Sequence, residues 1–100
     1  ELALLGEKLT AEKALEWGLV NRVADDEALM DTAFALARQM AEGPAALGLI
    51  RRLFWKSPDN SYEEQLAFER ECQMRAAATE DFREGLHAFR EKREPDFKGR

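Results

Sequence analysis

His87, Cys72, a large set of carboxylates and the pair Phe89 and Lys92 are the residues of this chain whose chemistry could reach beyond packing. Nucleophilic catalysis needs a thiol or hydroxyl beside a base, with a third group orienting that base. His87 is the only histidine and Cys72 the only cysteine. Cys72 falls inside a helical pattern, so neither a Ser-His-Asp nor a Cys-His set can be assembled. His87 lies next to an apolar stripe but off its centre, which reads as a surface or packing histidine, and Cys72 reads as a small buried hydrophobe. No metal-ligand spacing of His and Cys occurs. Gly6, Gly18, Gly43 and Gly85 are separated punctuation through which no phosphate loop can be drawn.

Acids are plentiful. Glu63, Glu64, Glu69, Glu71, Glu80, Asp81 and Glu84 stand where helix caps, helix dipoles and solvated faces account for them, and we expect none of them to do acid-base work. The end of the chain, Thr79 to Arg100, is more distinctive. Thr79 can cap a helix, Glu80 and Asp81 put negative charge in its first turn, and Phe82, Leu86 and Phe89 recur at helical spacing. Arg90, Lys92 and Arg93 follow at the end where cations suit the dipole, and Pro95 is expected to stop the helix. Lys92 can act as a point charge on a phosphate, and Phe89 can offer a flat surface to a base. Core packing of Phe89 comes slightly ahead of ligand contact; for Lys92 a helix-end role and a ligand role stand nearly even.

The elements that must position these residues read as helices. Glu1 to Leu5 looks like the last turns of a helix, closed by Gly6. With no initiating methionine, this opening leads us to expect that the chain was cut from a longer protein. Thr10 can cap Ala11 to Trp17, with Gly18 as its stop, and Leu19, Val20 and Val23 then form a short extended piece. Asp25 or Asp26 is expected to cap a helix running to about Glu42, closed by Gly43 and Pro44. A third helix spans about Ala45 to Lys56. Ser61 with Glu64 makes a capping box for a fourth, about Tyr62 to Ala77, and the fifth runs from Glu80 to about Arg93.

Several of these helices carry apolar residues on more than one face: Leu29, Ala33, Leu36 and Met40 are broadened by Met30, Phe34, Ala37 and Ala41, and Leu47, Ile50, Leu53 and Phe54 by Leu49 and Trp55. Faces this wide need two neighbours, so the residues themselves predict oligomerisation. One hundred residues make a single small domain. A net charge of -5 argues against a nucleic-acid module. No apolar run approaches the roughly 20 residues of a membrane helix, no signal peptide is visible, and the lone cysteine fits the reducing cytoplasm.

Two stretches together resemble the C-terminal region of the enoyl-CoA hydratase/isomerase, or crotonase, superfamily. The first is Gly6-Glu7-Lys8-Leu9-Thr10-Ala11-Glu12-Lys13-Ala14-Leu15-Glu16-Trp17-Gly18-Leu19-Val20. The second is Thr79-Glu80-Asp81-Phe82-Arg83-Glu84-Gly85-Leu86-His87-Ala88-Phe89-Arg90-Glu91-Lys92-Arg93, followed by Pro95, Phe97 and Gly99. Within the superfamily, the Leu-Leu-Gly-Glu-Lys-Leu opening and Asp25-Asp26-Glu27-Ala28-Leu29 look most like phenylacetate-pathway isomerases acting on ring-epoxide CoA esters.

The resemblance implies an all-α chain of about five helices: the helical C-terminal (trimerisation) domain of a crotonase-like fold, without the N-terminal ββα spiral core. It implies that 1–24 are the end of the core and a connection and 25–100 the assembly domain. The core would hold the thioester oxygen in an oxyanion hole of backbone N–H groups, so the family's catalytic acids and that hole lie outside this chain. No separate cofactor is implied, only the CoA moiety of the acyl-CoA substrate. The implied partners are copies of the same chain, in trimers or hexamers, with neither nucleic acid nor membrane. Phe89 and Lys92 match the motif positions from which the final helix reaches the CoA nucleotide. Trp17 stands where the family carries a smaller or more variable residue, and it either faces the acyl pocket or packs. The alternative reading is a stand-alone helical protein-interaction module with no catalytic parent.

Overall fold

The computed structural model describes all residues from Glu1 to Arg100 and is all-helical. Six α-helices occur: α1 (Leu2–Leu5), α2 (Ala11–Glu16), α3 (Leu29–Ala41), α4 (Ala46–Lys56), α5 (Tyr62–Ala77) and α6 (Glu80–Glu91). Two 3-10 turns, Asp26–Ala28 and Ser57–Asp59, precede α3 and follow α4. The chain divides into two compact units, Glu1–Leu36 and Ala37–Arg100. No helix is long and apolar enough to cross a membrane.

In the first unit, local capping explains each helix end. α1 stops at Gly6, whose φ of 65° is the left-handed conformation in which a Cβ would be strained. The Thr10 hydroxyl accepts the Lys13 N–H at 3.2 Å and opens α2. Lys13 Nζ then sits 5.6 Å above the Trp17 ring and pairs with Glu16 at 2.8 Å. Trp17 lines a small concavity with Leu2, Leu5 and Leu9. Leu19, Val20 and Val23, read as a short extended piece, lie outside any helix or strand. One expectation changes here. Neither Asp25 nor Asp26 caps a helix that starts beside it; the extended Asp25 makes no side-chain capping bond, and the 3-10 turn delays α3 to Leu29.

The second unit holds the buried residues. On α5 the least exposed positions are Gln65, Phe68, Cys72 and Ala76, a stripe at three- and four-residue spacing. Half-buried Leu49 and Leu53 belong to α4, which packs on α5, and the Arg52 guanidinium lies 5.8 Å from the Phe68 ring centre. The capping box is complete: Ser61 Oγ accepts the Glu64 N–H at 3.3 Å and Glu64 Oε2 accepts the Ser61 N–H at 2.8 Å. At the next joint Thr79 Oγ1 donates to the Ala76 carbonyl at 2.7 Å and accepts the Phe82 N–H at 3.1 Å, so one hydroxyl both closes α5 and opens α6.

Cys72 is buried, as a small hydrophobe should be. The only other buried residues are Ala88 and Asp81. The apolar faces that needed two neighbours are instead open. Phe54, Trp55, Tyr62, Met74 and Phe89 are all well exposed, and Leu66 and Leu86 are nearly half exposed.

Candidate functional site

The basic, aromatic end resolves into two parts with different jobs. The first is an anchor built on α6. Asp81 lies in its first turn, and its carboxylate is buried rather than serving the helix dipole from a solvated face, as its position in the sequence suggested. Its oxygens accept three backbone N–H groups: Ala45 at 2.8 Å, Lys98 at 2.7 Å and Gly99 at 2.9 Å. The Asp81 N–H in turn donates to the Arg100 carbonyl at 3.0 Å. These bonds to the ionised form, led by that from Lys98, hold its pKa below the usual aspartate range against the opposing effect of burial.

Glu84, one turn further on, receives the Arg93 guanidinium on both oxygens, at 2.5 and 3.1 Å, and the Asp96 N–H at 2.9 Å. The Arg93 side chain, then the Asp96 N–H, pull its pKa down from 4.5 to about 2. Arg93 is raised above its ordinary value, first by Glu84 and then by Glu91, 2.7 Å away. Together the two acids fold the last residues of the chain back along α6. Phe97 covers Gly85, where an added Cβ would meet its ring at 3.7 Å.

The second part is what the anchor leaves free. α6 ends at Glu91, four residues before Pro95. The stop is therefore not the proline: Lys92 turns the chain by adopting φ 55° and ψ 40°. Its N–H donates to the Phe89 carbonyl at 3.3 Å, which joins the two candidate contact residues through the backbone. Phe89 is 84% exposed, so packing into a core of this chain, the reading placed first for it, does not occur here. Arg93, Lys98 and Arg100 are each paired with a carboxylate, whereas Lys92 is paired with none. An exposed ring and an unpaired ammonium at one helix end can stack on a planar group and neutralise a phosphate. His87 is exposed.

The sequence missed Asp81 and Glu84 as tail anchors because their partners are distant along the chain: Asp81 bonds residues 36 and 17 positions away. A usable signal did exist, since two acids on one side of a helix followed by a short tail carrying Arg93, Lys98, Gly99 and Arg100 offer acceptors and donors. A further open groove, about 520 Å3, runs between α4 and α5 and is lined by Arg52, Trp55, Lys56 and Phe68 among others. Neither Phe89 nor Lys92 borders it.

Residues 1–100 match the family described as enoyl-CoA hydratase/isomerase. The chain is 47% identical over 100 residues to the 1,2-epoxyphenylacetyl-CoA isomerase of Escherichia coli K12, covering 99% of this chain and 38% of that protein. It is 38% identical to the carnitinyl-CoA dehydratase of Salmonella arizonae, covering 99% of this chain and 40% of that protein. Among solved structures, the enoyl-CoA hydratase of Mycobacterium tuberculosis H37Rv superposes with a TM-score of 0.88 at 33% identity, over 99% of this chain and 40% of that one. The chain thus spans about two fifths of the length of the relatives it matches.

Proposed function

This chain belongs to the enoyl-CoA hydratase/isomerase family, and from that membership we propose that it is the C-terminal assembly part of a longer acyl-CoA hydratase or isomerase. In this reading the longer enzyme works on enoyl-CoA or related CoA thioesters, and copies of it associate through these helices into trimers or hexamers. The observation that carries the proposal is the open apolar surface. Tyr62, Leu66 and Met74 on α5 and Phe82 and Leu86 on α6 leave large side chains in water on helices that already have a packed side. Large apolar side chains left exposed in such number are characteristic of interfaces.

The second element of the proposal is a substrate contact. Phe89 and Lys92 would meet the CoA nucleotide, the ring against the adenine and the ammonium against a phosphate. Their exposure, their shared helix end and the unpaired state of Lys92 support that role. The CoA belongs to the substrate, and no separate cofactor enters the proposal. The thioester chemistry itself would be performed by residues outside this chain.

Two measurements test these statements. Full-length enzyme should turn over at least one of an enoyl-CoA and a ring-epoxide CoA thioester, while this chain alone should turn over neither. Turnover by the isolated chain would defeat the assignment. Lys92→Ala in the full-length enzyme should raise KM for the CoA ester by roughly threefold or more while kcat stays within about twofold, since an interaction made equally in ground and transition states shows in KM. An unchanged KM would return Lys92 to a helix-end role.

A further inference from the structure

Two helices of this chain end in the same backbone arrangement with different residues at its critical position. At the end of α2, Gly18 N–H bonds to the Leu15 carbonyl at 3.0 Å and Leu19 N–H to the Ala14 carbonyl at 2.9 Å, around a left-handed Gly18 with φ 71°. At the end of α6, Lys92 N–H bonds to Phe89 at 3.3 Å and Arg93 N–H to the Ala88 carbonyl at 3.1 Å, around a left-handed Lys92. Every other positive-φ position, Gly6, Gly18 and Gly99, is glycine. Lys92 is the single side chain held in a conformation that L residues disfavour. A backbone strained in this way persists only where its surroundings over-determine it.

Those surroundings are the tail. Arg93, directly after the strained residue, is gripped by Glu84 through both carboxylate oxygens and by Glu91 at 2.7 Å. Asp96 is tied to the same Glu84, and Lys98 and Gly99 to Asp81. The chain leaving Lys92 is thus drawn back along the helix it has just left, and the turn at Lys92 cannot relax without breaking these bonds. The tail's own cations, Arg93, Lys98 and Arg100, are spent on carboxylates, while Lys92, like Arg90, is left unpaired.

We infer that Glu84 and Asp81 are positioning residues for Lys92: by holding the tail against α6 they keep Lys92 in its left-handed turn, fix the direction in which its side chain leaves the backbone, and so set affinity for the phosphate-bearing part of an acyl-CoA. The inference rests on the reading that Lys92 meets the CoA nucleotide, and it extends that site to two acids that never touch substrate.

The test is a double-mutant cycle in the full-length enzyme, read with an acyl-CoA and with the same acyl group on pantetheine, which lacks the nucleotide. Glu84→Gln should raise KM for the CoA ester roughly threefold or more, leave kcat within about twofold, and leave KM for the pantetheine ester unchanged. Added to Lys92→Ala, Glu84→Gln should produce no further rise. If Lys92→Ala raises KM and Glu84→Gln does not, or if the two effects simply add, the positioning role is overturned while the Lys92 contact stands. Equal damage with both substrates would mark Glu84 as structural only and likewise overturn the inference. An unchanged KM in Lys92→Ala removes the contact on which it rests, and the inference with it. Should Glu84→Gln fail to fold, Asp81→Asn, which acts further along the tail, carries the same expectations in the same assay.

Discussion

At the scale of single residues, the most consequential side chains are two acids that share one task. Glu84 titrates near 2 in the fold against an ordinary 4.5, so below about pH 4.5 the unfolded chain binds more protons than the folded one. Its contribution is complete above 4.5 and drains away as pH falls from there toward about 2; Asp81, also lowered, acts in the same direction. Urea midpoints of this chain should therefore fall between about pH 5 and pH 3, and Glu84→Gln should flatten that slope. An equal slope in the variant would assign the acid sensitivity elsewhere. Lys92 makes the complementary prediction. Lys92→Gly relieves its left-handed backbone and should stabilise the full-length enzyme by up to about 1 kcal/mol while raising KM for the CoA ester. A thermal melt and a KM measurement on the same preparation check both halves, and a destabilised variant would contradict the strain argument.

At the scale of elements, what could be read in advance was what the chain decides locally. Thr10, Ser61 with Glu64, and Thr79 each bond a backbone N–H within three residues, so spacing alone exposed them as helix starts. The boundaries that spacing misplaced depend on other things. Asp25 offered a capping side chain that the backbone does not use, because a 3-10 turn intervenes before α3. Pro95 offered a stop, but Lys92 ends α6 earlier because the tail must reverse to reach Glu84 and Asp81. That reversal is invisible to helical periodicity, as are acceptors whose donors lie 12 to 36 residues away. Two substitutions probe the elements directly. Ser61→Ala should cost α5 about 1 kcal/mol through loss of the reciprocal cap, read as a lower urea midpoint. Gly85→Ala should stabilise α6 by about 0.5–1 kcal/mol, read as a higher urea midpoint, because the new methyl meets the Phe97 ring at an ordinary 3.7 Å and alanine is the better helix former. A loss of stability in that variant would mean that Phe97 cannot accept the contact.

For the whole molecule, the imbalance between buried and exposed apolar groups dominates. Only Cys72 and Ala88 are buried hydrophobics, while large side chains on α4, α5 and α6 stand open. The wide apolar faces were legible from sequence as a demand for neighbours; which neighbours meet that demand lies outside any single chain. Family membership, together with a span of about two fifths of the relatives' length, supports assigning those faces to subunit association and to the rest of a longer enzyme. Sedimentation equilibrium of the full-length enzyme beside its Leu86→Asp variant tests this most directly. The account predicts a trimer or hexamer for the parent and a shift to smaller species for the variant, since an exposed apolar anchor of α6 becomes a charge. A parent that sediments as a monomer, or a variant that keeps the parent's mass, would contradict it.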